Sequence, residues 1–194
     1  MKKAGIVIAA ILCIGVICGG FYYVARHNNS STDQTEVTEV QKVIAKDLET
    51  NYPETPREVI KFYNRILKCY YSEDYKDDEL DQLCDQALAL FDEDLKENNP
   101  KDTYKAMVQG EVEQYKQDSK TIAQYNVCDS DDVLYKTDNG DSLAYVSASY
   151  FIKESGSYNK TYQTYVLRKD ADDKWKILVY YQTKGPNSTE EEDD

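Results

Sequence analysis

The spacing of apolar residues changes once along this chain, and that change limits the folds the chain can adopt. From Glu36 to Ser119, apolar residues recur every three or four positions, which matches the helical repeat of about 3.6 residues. After Ser119 they alternate with polar residues, as in a strand with one buried face. Helices that precede a run of strands joined by short turns indicate an α+β fold, with the helices packed on an antiparallel sheet.

Three helices are predicted before the change of period. The first covers residues 55–72 and begins at Thr55-Pro56-Arg57-Glu58. In that segment the threonine can cap the helix, the proline suits its first turn and the glutamate completes a capping box. The second helix covers about 77–98 and the third about 101–118, each with one apolar stripe that predicts a buried face.

About four strands are predicted after the change, joined by turns rich in glycine, asparagine and aspartate. Ala123, Tyr125 and Val127 alternate in the first strand, which is expected to continue through residues 133–135 after a bulge. Asn139-Gly140 is a strong hairpin signal, because both residues tolerate positive φ. The inward faces of two later strands are predicted to be Ala144, Val146, Ala148, Tyr150 and Ile152, and then Trp175, Ile177, Val179 and Tyr181.

The N-terminal segment contains an uncharged, mostly apolar run from Ala4 to Ala25. As a helix its 22 residues extend about 33 Å, which is long enough to cross a hydrocarbon core of about 30 Å. A transmembrane helix is therefore predicted. The alternative is a signal peptide cleaved near Cys18-Gly19-Gly20, although the apolar part of such peptides is usually only about 7–15 residues long.

The charges beside this run predict its orientation. Lys2 and Lys3 precede it, whereas Arg26 is the first base after it and opposes their effect. The positive-inside rule then places the N-terminus in the cytoplasm and the rest of the chain on the extracellular side of the plasma membrane. Gly15 and Gly19 form a G-x-x-x-G pair that permits dimerisation through the span, with a chance spacing of small residues as the alternative.

Four segments are predicted from these patterns. Residues 1–25 form the cytoplasmic tip and membrane anchor, and residues 26–53 form a polar spacer with a stalk helix. Residues 54–183 form the α+β domain, whose length is usual for one domain. Residues 184–194 are interpreted as an acidic, disordered tail.

Charge and histidine content exclude several functions. The chain has 23 basic and 36 acidic residues and a formal net charge of −13, whereas nucleic-acid binding needs a basic surface. His27 is the single histidine and lies outside residues 54–183. Histidine-based catalysis and histidine metal ligation within the predicted domain are therefore excluded.

No metal or cofactor site is predicted. Cys69, Cys84 and Cys128 are interpreted as buried apolar residues, with a Cys69–Cys84 pair as the alternative. The aspartate runs 129–132 and 170–173 lack the glycine and distal glutamate of a helix-loop-helix calcium site. Both runs are therefore interpreted as turns.

Two sets of residues carry a resemblance to known families. The segment Leu167 to Ile177, which closes on Trp-Lys-Ile, resembles the last hairpin of the nuclear-transport-factor-2-like cone, also called the SnoaL-like or cystatin-like cone. The stretches Tyr52 to Glu58 and Leu90 to Leu95 are similar to those of uncharacterised, membrane-anchored proteins of Gram-positive bacteria. The resemblance covers about residues 50–183. It implies three helices on a curved sheet, with a pocket between the helices and the concave face of the sheet.

The same resemblance implies that enzymes of this fold commonly pair an aspartate with a histidine or a tyrosine in the pocket. No catalytic residue is predicted here. Aromatic residues are the candidates for a ligand pocket, because they offer both stacking and hydroxyl contacts. They are Tyr63, Tyr104, Tyr125, Tyr150, Tyr165, Trp175 and Tyr181.

The function expected from these observations is non-catalytic binding of a protein partner or a small ligand. A subunit of an envelope-spanning transfer or secretion machine is one alternative. A small-molecule enzyme that uses an aspartate and a tyrosine in the pocket is the other. A fold by itself does not decide among these functions, because function depends on the site that the fold carries.

Overall fold

The computed structural model shows helices followed by an antiparallel sheet, as the change of period predicts. The structure describes residues 37–185. The apolar run Ala4–Ala25, the Gly15 and Gly19 pair and residues 186–194 of the acidic tail lie outside the described residues. Within residues 37–185, no helix combines the length and the apolar character needed to cross a bilayer.

Five helices occupy the first half of the described chain. The second one, α2, begins with the predicted capping box, in which Thr55 Oγ1 accepts from the Glu58 amide at 3.2 Å and Glu58 Oε2 accepts from the Thr55 amide at 3.2 Å. The helices are α1 (Glu39–Ile44), α2 (Pro56–Ser72), α3 (Asp77–Leu90), α4 (Glu93–Asn98) and α5 (Lys101–Gln117).

The segment that sequence reasoning assigned to a stalk packs against the domain. Val40 and Val43 of α1 are buried in the hydrophobic core. The side-chain amide of Gln86 donates to the carbonyl oxygens of Ile44 and Lys46 at 3.0 and 2.9 Å. The apolar positions of a short helix have the same spacing whether or not a neighbour covers them, so the sequence pattern did not separate a stalk from a core helix.

The predicted second helix is interrupted at Phe91 and Asp92. Phe91 forms a parallel bridge with Ile177, and the Asp92 amide donates to the Ile177 carbonyl at 2.8 Å. The buried Asp92 carboxylate accepts from Arg168 Nη2 at 2.5 Å and caps α4 by accepting from the Asp94 amide. These long-range contacts bind the α3–α4 junction to the edge of the last strand, which explains the break.

The sheet has five antiparallel strands within the described chain, whereas about four were predicted. They are β1 (Lys120–Val127), β2 (Leu134–Asp138), β3 (Asp141–Glu154), β4 (Ser157–Lys169) and β5 (Trp175–Thr183). The order is β1-β3-β4-β5, and β2 also pairs with β3. β1 pairs with the second half of β3 and β2 with its first half, so these two strands share one edge.

The difference in strand number arises between Val127 and Leu134. A short 3-10 turn at Ser130–Asp132 separates β1 from β2, where the sequence predicted a bulge within one strand. The bulge lies earlier instead, at Ala123, where the pairing with β3 shifts between Ile122 and Gln124. Ile122 is therefore buried and Ala123 exposed, although alternation alone placed Ala123 inward.

The turns follow the predicted chemistry. Asn139 and Gly140 have φ of 49° and 95°, and Ser155 and Gly156 have φ of 47° and 86°. At the last turn Asp170 Oδ1 accepts from the amides of Asp172 and Lys174, each at 2.9 Å. These positive φ angles and side-chain acceptors let the strands reverse within a few residues.

The helices pack on the face of the sheet that carries Ala144, Val146, Ala148 and Tyr150. These residues were predicted to point inward, and all four are buried. Cys69 and Cys84 are buried free thiols, in agreement with their interpretation as apolar core residues, and Cys128 is a half-buried free thiol.

Candidate functional site

A cavity of about 240 Å³ lies between α2, α5 and the inner face of the sheet. It has room for about eight water-sized groups, at roughly 30 Å³ each. Half of the residues that line it are tyrosines. The helices contribute Tyr63, Leu67, Tyr70, Tyr71, Tyr104, Met107, Val108, Glu111 and Tyr115, and the sheet contributes Ile122, Tyr150, Ile152, Thr161, Gln163, Tyr165 and Tyr180.

Helical spacing explains the helical half of the lining. On α2 the residues that face the cavity recur at intervals of three and four, as at Tyr63, Leu67 and Tyr70. The lining residues of α5 follow the same spacing. They are Tyr104, Met107, Val108, Glu111 and Tyr115. Side chains at these intervals share one face of a helix, so each helix presents one wall.

Strand pairing explains the other half. Tyr150 of β3 lies directly opposite Thr161 of β4, and Tyr165 of β4 lies directly opposite Tyr180 of β5. Residues opposite each other in an antiparallel pair point to the same face of the sheet. The sheet therefore directs a continuous row of hydroxyl-bearing side chains at the two helices.

The tyrosine rings contact one another in the deep part of the cavity. Tyr63 and Tyr165 have centroids 5.8 Å apart with an interplanar angle of 77°, and Tyr165 and Tyr180 have centroids 5.8 Å apart. Nearer the surface, Tyr71 and Tyr115 lie 4.4 Å apart with planes 31° apart. Such contacts restrict the rings, so the walls are held in place without a ligand.

A buried hydrogen-bond cluster supports the deep wall. The Tyr150 hydroxyl donates to Asn64 Oδ1, and the Tyr150 and Tyr165 hydroxyls lie 2.5 Å apart. The Tyr165 hydroxyl donates to Gln163 Oε1 at 3.1 Å. Each phenol has one proton, so these three contacts hold at most two hydrogen bonds at a time. Together the contacts join β3, β4 and α2.

One fully buried hydroxyl among the lining residues has no hydrogen-bond partner within 3.5 Å in the described part of the chain. Tyr70 is 1% exposed, and its hydroxyl oxygen is buried. Burial raises the pKa of Tyr70, and polar contacts with Cys84 and Tyr104 act on that pKa as well. The Tyr70 hydroxyl therefore belongs to the core behind the cavity wall, and the open space does not reach it.

The mouth of the cavity carries a carboxylate. Glu111 and Met107 are exposed, and Glu111 Oε2 accepts a hydrogen bond from the Tyr71 hydroxyl. Among the described residues that line the cavity, Glu111 alone has a formal charge at neutral pH. The site therefore combines aromatic walls, neutral hydroxyl groups and one negative charge.

Burial keeps the phenols protonated. It raises the pKa of Tyr63, Tyr70, Tyr104 and Tyr165 well above the ordinary value of 10.0. Burial also raises the pKa of Tyr71, and its hydrogen bond to Glu111 acts in the same direction. These side chains are neutral at physiological pH and can donate hydrogen bonds, but they are unsuited to act as general bases.

The structure brings together four of the seven aromatic candidates from the sequence. Tyr63, Tyr104, Tyr150 and Tyr165 all line the cavity. The other three lie elsewhere in the described domain. Tyr125 borders a separate cleft near α1, Trp175 borders a shallow cleft with Tyr135, and Tyr181 is 47% exposed.

A bulge in β5 explains why Tyr181 points away from the cavity. Val179 pairs with Val166 and Ile177 with Leu167, so Leu178 is an extra residue without a pairing partner. This extra residue reverses the alternation after Ile177, which turns Tyr180 inward and Tyr181 outward. Strict period-two alternation from Trp175 selected the wrong tyrosine.

The other residues missed by sequence reasoning were Tyr70, Tyr71, Tyr115 and Glu111. Tyr70 and Tyr115 belong to the predicted apolar stripes, so their spacing indicated burial but not a cavity. Glu111 lies one helical turn from Val108 and Tyr115 on the same face of α5. An acidic residue within an otherwise apolar face was the available signal for this position.

Metal ligation is not indicated by the side chains present. Within residues 37–185, no group of three or more histidine, cysteine, aspartate or glutamate side chains is placed to hold a metal ion. In the two aspartate runs, the Asp170 carboxylate serves its own turn, and the Asp129 carbonyl accepts from the Asp132 amide at 3.1 Å.

Residues 38–183 thus define an α+β domain in which helices on an antiparallel sheet enclose a tyrosine-rich cavity. The chain belongs to the family described as Domain of unknown function (DUF6715), whose model matches residues 1–180. The match includes the N-terminal apolar run together with the domain. No curated protein has significant similarity to the sequence.

Proposed function

We propose that residues 38–183 form a non-catalytic domain that binds a small ligand in the tyrosine-lined cavity. As part of this proposal, the α+β domain has the nuclear-transport-factor-2-like cone fold. The order of helices and strands supports that assignment, as does a cavity between the helices and one face of the sheet. In this arrangement the sheet and helices provide a rigid wall and the cavity provides specificity.

The observation that carries the proposal is the open cavity between the helices and the sheet, with its wall of tyrosines. A core evolved only for stability fills its voids. Here about 240 Å³ stays open, and half of its lining residues are tyrosines. A bound molecule fills this space and contacts the rings and polar groups that face it.

Binding is favoured over catalysis by the protonation of the lining. Among the described residues, no aspartate lines the cavity. The carboxylate–tyrosine pair that does line it, Glu111 and Tyr71, includes an exposed glutamate, whereas acid–base catalysis needs a buried carboxylate. The buried Asp92 is bound to Arg168 instead. The phenol pKa values are raised and not lowered, which is the opposite of what activates a tyrosine as a base.

The proposal places this domain outside the cytoplasm. The run Ala4–Ala25 is long and apolar enough to anchor the chain as a single span, and Lys2 and Lys3 favour a cytoplasmic N-terminus. The described domain begins at about Thr38, so roughly a dozen residues separate it from the membrane. A reporter enzyme fused to the C-terminus tests this placement, and cytoplasmic reporter activity contradicts it.

A mass-spectrometric experiment tests ligand binding. The full chain is purified from membranes, denatured and searched for released small molecules. We expect a compound to be released from the wild type and to be absent from Thr161→Trp, because Thr161 points into the cavity and an indole there fills it. Loss of the bound compound is also expected to lower the midpoint of thermal unfolding, since a ligand stabilises the state it binds.

The matched control is Tyr162→Trp, at the neighbouring position on the opposite face of β4. Both variants add one indole to the same strand, but only Thr161→Trp obstructs the cavity. Release of the same compound from both variants contradicts binding in the cavity. The absence of any released compound from the wild type, with no thermal shift in a fragment library, contradicts the proposed function.

A further inference from the structure

Building on the proposed function, we propose that the cavity selects a small organic cation, with the Glu111 carboxylate as its counter-charge and tyrosine rings as its walls. The ligand class is an ammonium compound of about seven or eight non-hydrogen atoms. This is the size that the cavity admits if each group occupies about the volume of a water molecule.

Within the described part of the chain, the Glu111 carboxylate has no basic side chain beside it. Among the described residues, no lysine or arginine lies within 4.0 Å of the Glu111 carboxylate. Lys105, on the same helix, pairs with Asp81 at 2.6 Å, and Lys120 pairs with Asp118 at 3.0 Å. The negative charge at the mouth is therefore available to an incoming cation.

Aromatic rings line the cavity around the Glu111 carboxylate. Tyr71 donates to Glu111 and stacks on Tyr115, and Tyr180 lies on the opposite wall. Burial raises the pKa of all three phenols, and the charge of Glu111 raises it further, so the carboxylate acts on this part of the cavity. Ring faces attract cations, and the attraction grows when the cation is removed from water.

The sheet offers neutral polar groups to the same cavity. Thr161 and Gln163 are half-buried and line the cavity together with Glu111. A ligand with a cationic end and a hydroxyl end can contact Glu111 and one of these side chains at once. Anionic ligands are disfavoured, because the lining offers no base and Glu111 repels them.

Titration calorimetry with two probes of the same shape tests the proposal. Choline carries a quaternary ammonium group and a hydroxyl, and 3,3-dimethyl-1-butanol replaces the charged nitrogen by carbon. With the full chain in detergent, we expect choline to bind at least about tenfold more tightly than the neutral alcohol. A tenfold ratio corresponds to about 1.4 kcal/mol, between the values for an exposed and a fully desolvated cation–aromatic contact.

The variant Glu111→Gln removes the charge and keeps an oxygen that can accept from Tyr71. We expect it to weaken choline binding about tenfold and to leave the alcohol unchanged. Glu113→Gln is the matched control, because Glu113 is an exposed residue of the same helix that does not line the cavity. It is expected to leave both affinities unchanged.

The outcomes separate the two proposals. Equal binding of choline and the alcohol, with no effect of Glu111→Gln, overturns the cation inference and leaves a ligand-binding cavity intact. Binding of neither probe also overturns the cation inference, and release of another compound in the mass-spectrometric experiment then preserves the proposed function. A cavity that binds no probe and releases no compound overturns both.

Discussion

At the scale of single residues, the deep wall of the cavity depends on a few buried polar groups. Tyr150 shows this most directly, because its hydroxyl meets both Asn64 Oδ1 and the Tyr165 hydroxyl and its side chain is 5% exposed. Asn64 is fully buried, and its amide nitrogen has no hydrogen-bond partner among the described residues. The Asn64 side-chain oxygen and the Tyr165 hydroxyl thus both depend on the Tyr150 hydroxyl.

The substitution Tyr150→Phe tests that dependence. It removes one oxygen and leaves Asn64 and Tyr165 with one contact fewer each, so we expect a loss of about 1–3 kcal/mol in the free energy of unfolding. Denaturant titration followed by circular dichroism measures this loss. Tyr158→Phe, at a residue that is 64% exposed, is the control and is expected to change stability by less than about 0.5 kcal/mol. Equal effects in the two variants would show that the buried cluster contributes nothing.

At the scale of elements, the backbone conformation and not the residue type sets what a position tolerates. Gly110 and Gly140 both have open space around the position of a Cβ atom, yet their backbones differ. Gly110 lies inside α5, whereas Gly140 forms the β2–β3 turn with φ of 95°. A methyl group fits sterically at both sites, so the backbone conformation alone distinguishes them.

This difference predicts opposite signs for the same substitution. Gly110→Ala is expected to stabilise the protein by about 0.5–1 kcal/mol, because alanine restricts the unfolded chain and favours the helix. Gly140→Ala is expected to destabilise it by about 1–2 kcal/mol, because an L-residue is strained at that φ. Midpoints of chemical unfolding, with equal slopes for all three proteins, provide the measurement. A loss of stability in both variants contradicts the argument.

At the scale of the whole molecule, tyrosine supplies much of the core that other domains build from aliphatic residues. The chain has 18 tyrosines and only four phenylalanines. Several of the tyrosines, Tyr63, Tyr70, Tyr104, Tyr150 and Tyr165 among them, are buried with raised pKa values. Because these phenols must stay protonated in the fold, the stability of the domain depends on pH in the alkaline range.

The sign of that dependence follows from proton linkage. In the unfolded chain a phenol loses its proton near pH 10.0, whereas in the fold the same group keeps it, so above that pH the unfolded state binds fewer protons. Stability is therefore fully present below about pH 10 and falls as pH rises further, by up to about 1.4 kcal/mol per pH unit for each group. Stability below pH 9 is expected to be insensitive to these phenols.

Absorbance at 295 nm reports phenolate, and circular dichroism reports the fold. We expect the buried tyrosines, Tyr63 and Tyr165 among them, to ionise only as the circular dichroism signal is lost. Ionisation of all tyrosines in a single step near pH 10, with the fold intact, contradicts the buried network.

Much of the fold was predictable because local rules act over a few residues. The capping box at Thr55, the hairpin at Asn139-Gly140 and the alternation of Ala144 to Tyr150 are all present in the structure. Each depends on contacts between near neighbours, which sequence spacing describes directly. The break at Phe91 was not predictable, because its cause is a strand that lies about 85 residues later in the chain.

The candidate site shows the same division. Tyr63, Tyr104, Tyr150 and Tyr165 were found because helical and strand periods point them inward. Tyr181 was selected in place of Tyr180, because the unpaired Leu178 is visible only in the register between β4 and β5. Glu111 was missed because its role depends on having no base beside its carboxylate. Spacing along one helix does not show which basic side chains of other elements lie near that position.

The sequence by itself determined the order of helices and strands, the turns, and the faces of α2, α5 and β3, since these depend on spacing and local backbone chemistry. Tertiary structure decided what those faces enclose. Whether a row of buried tyrosines becomes a filled core or a cavity depends on how closely two helices approach the sheet, and on bulges that shift one strand by a single residue. Those distances are set by packing across the whole domain, and no local pattern in the chain encodes them.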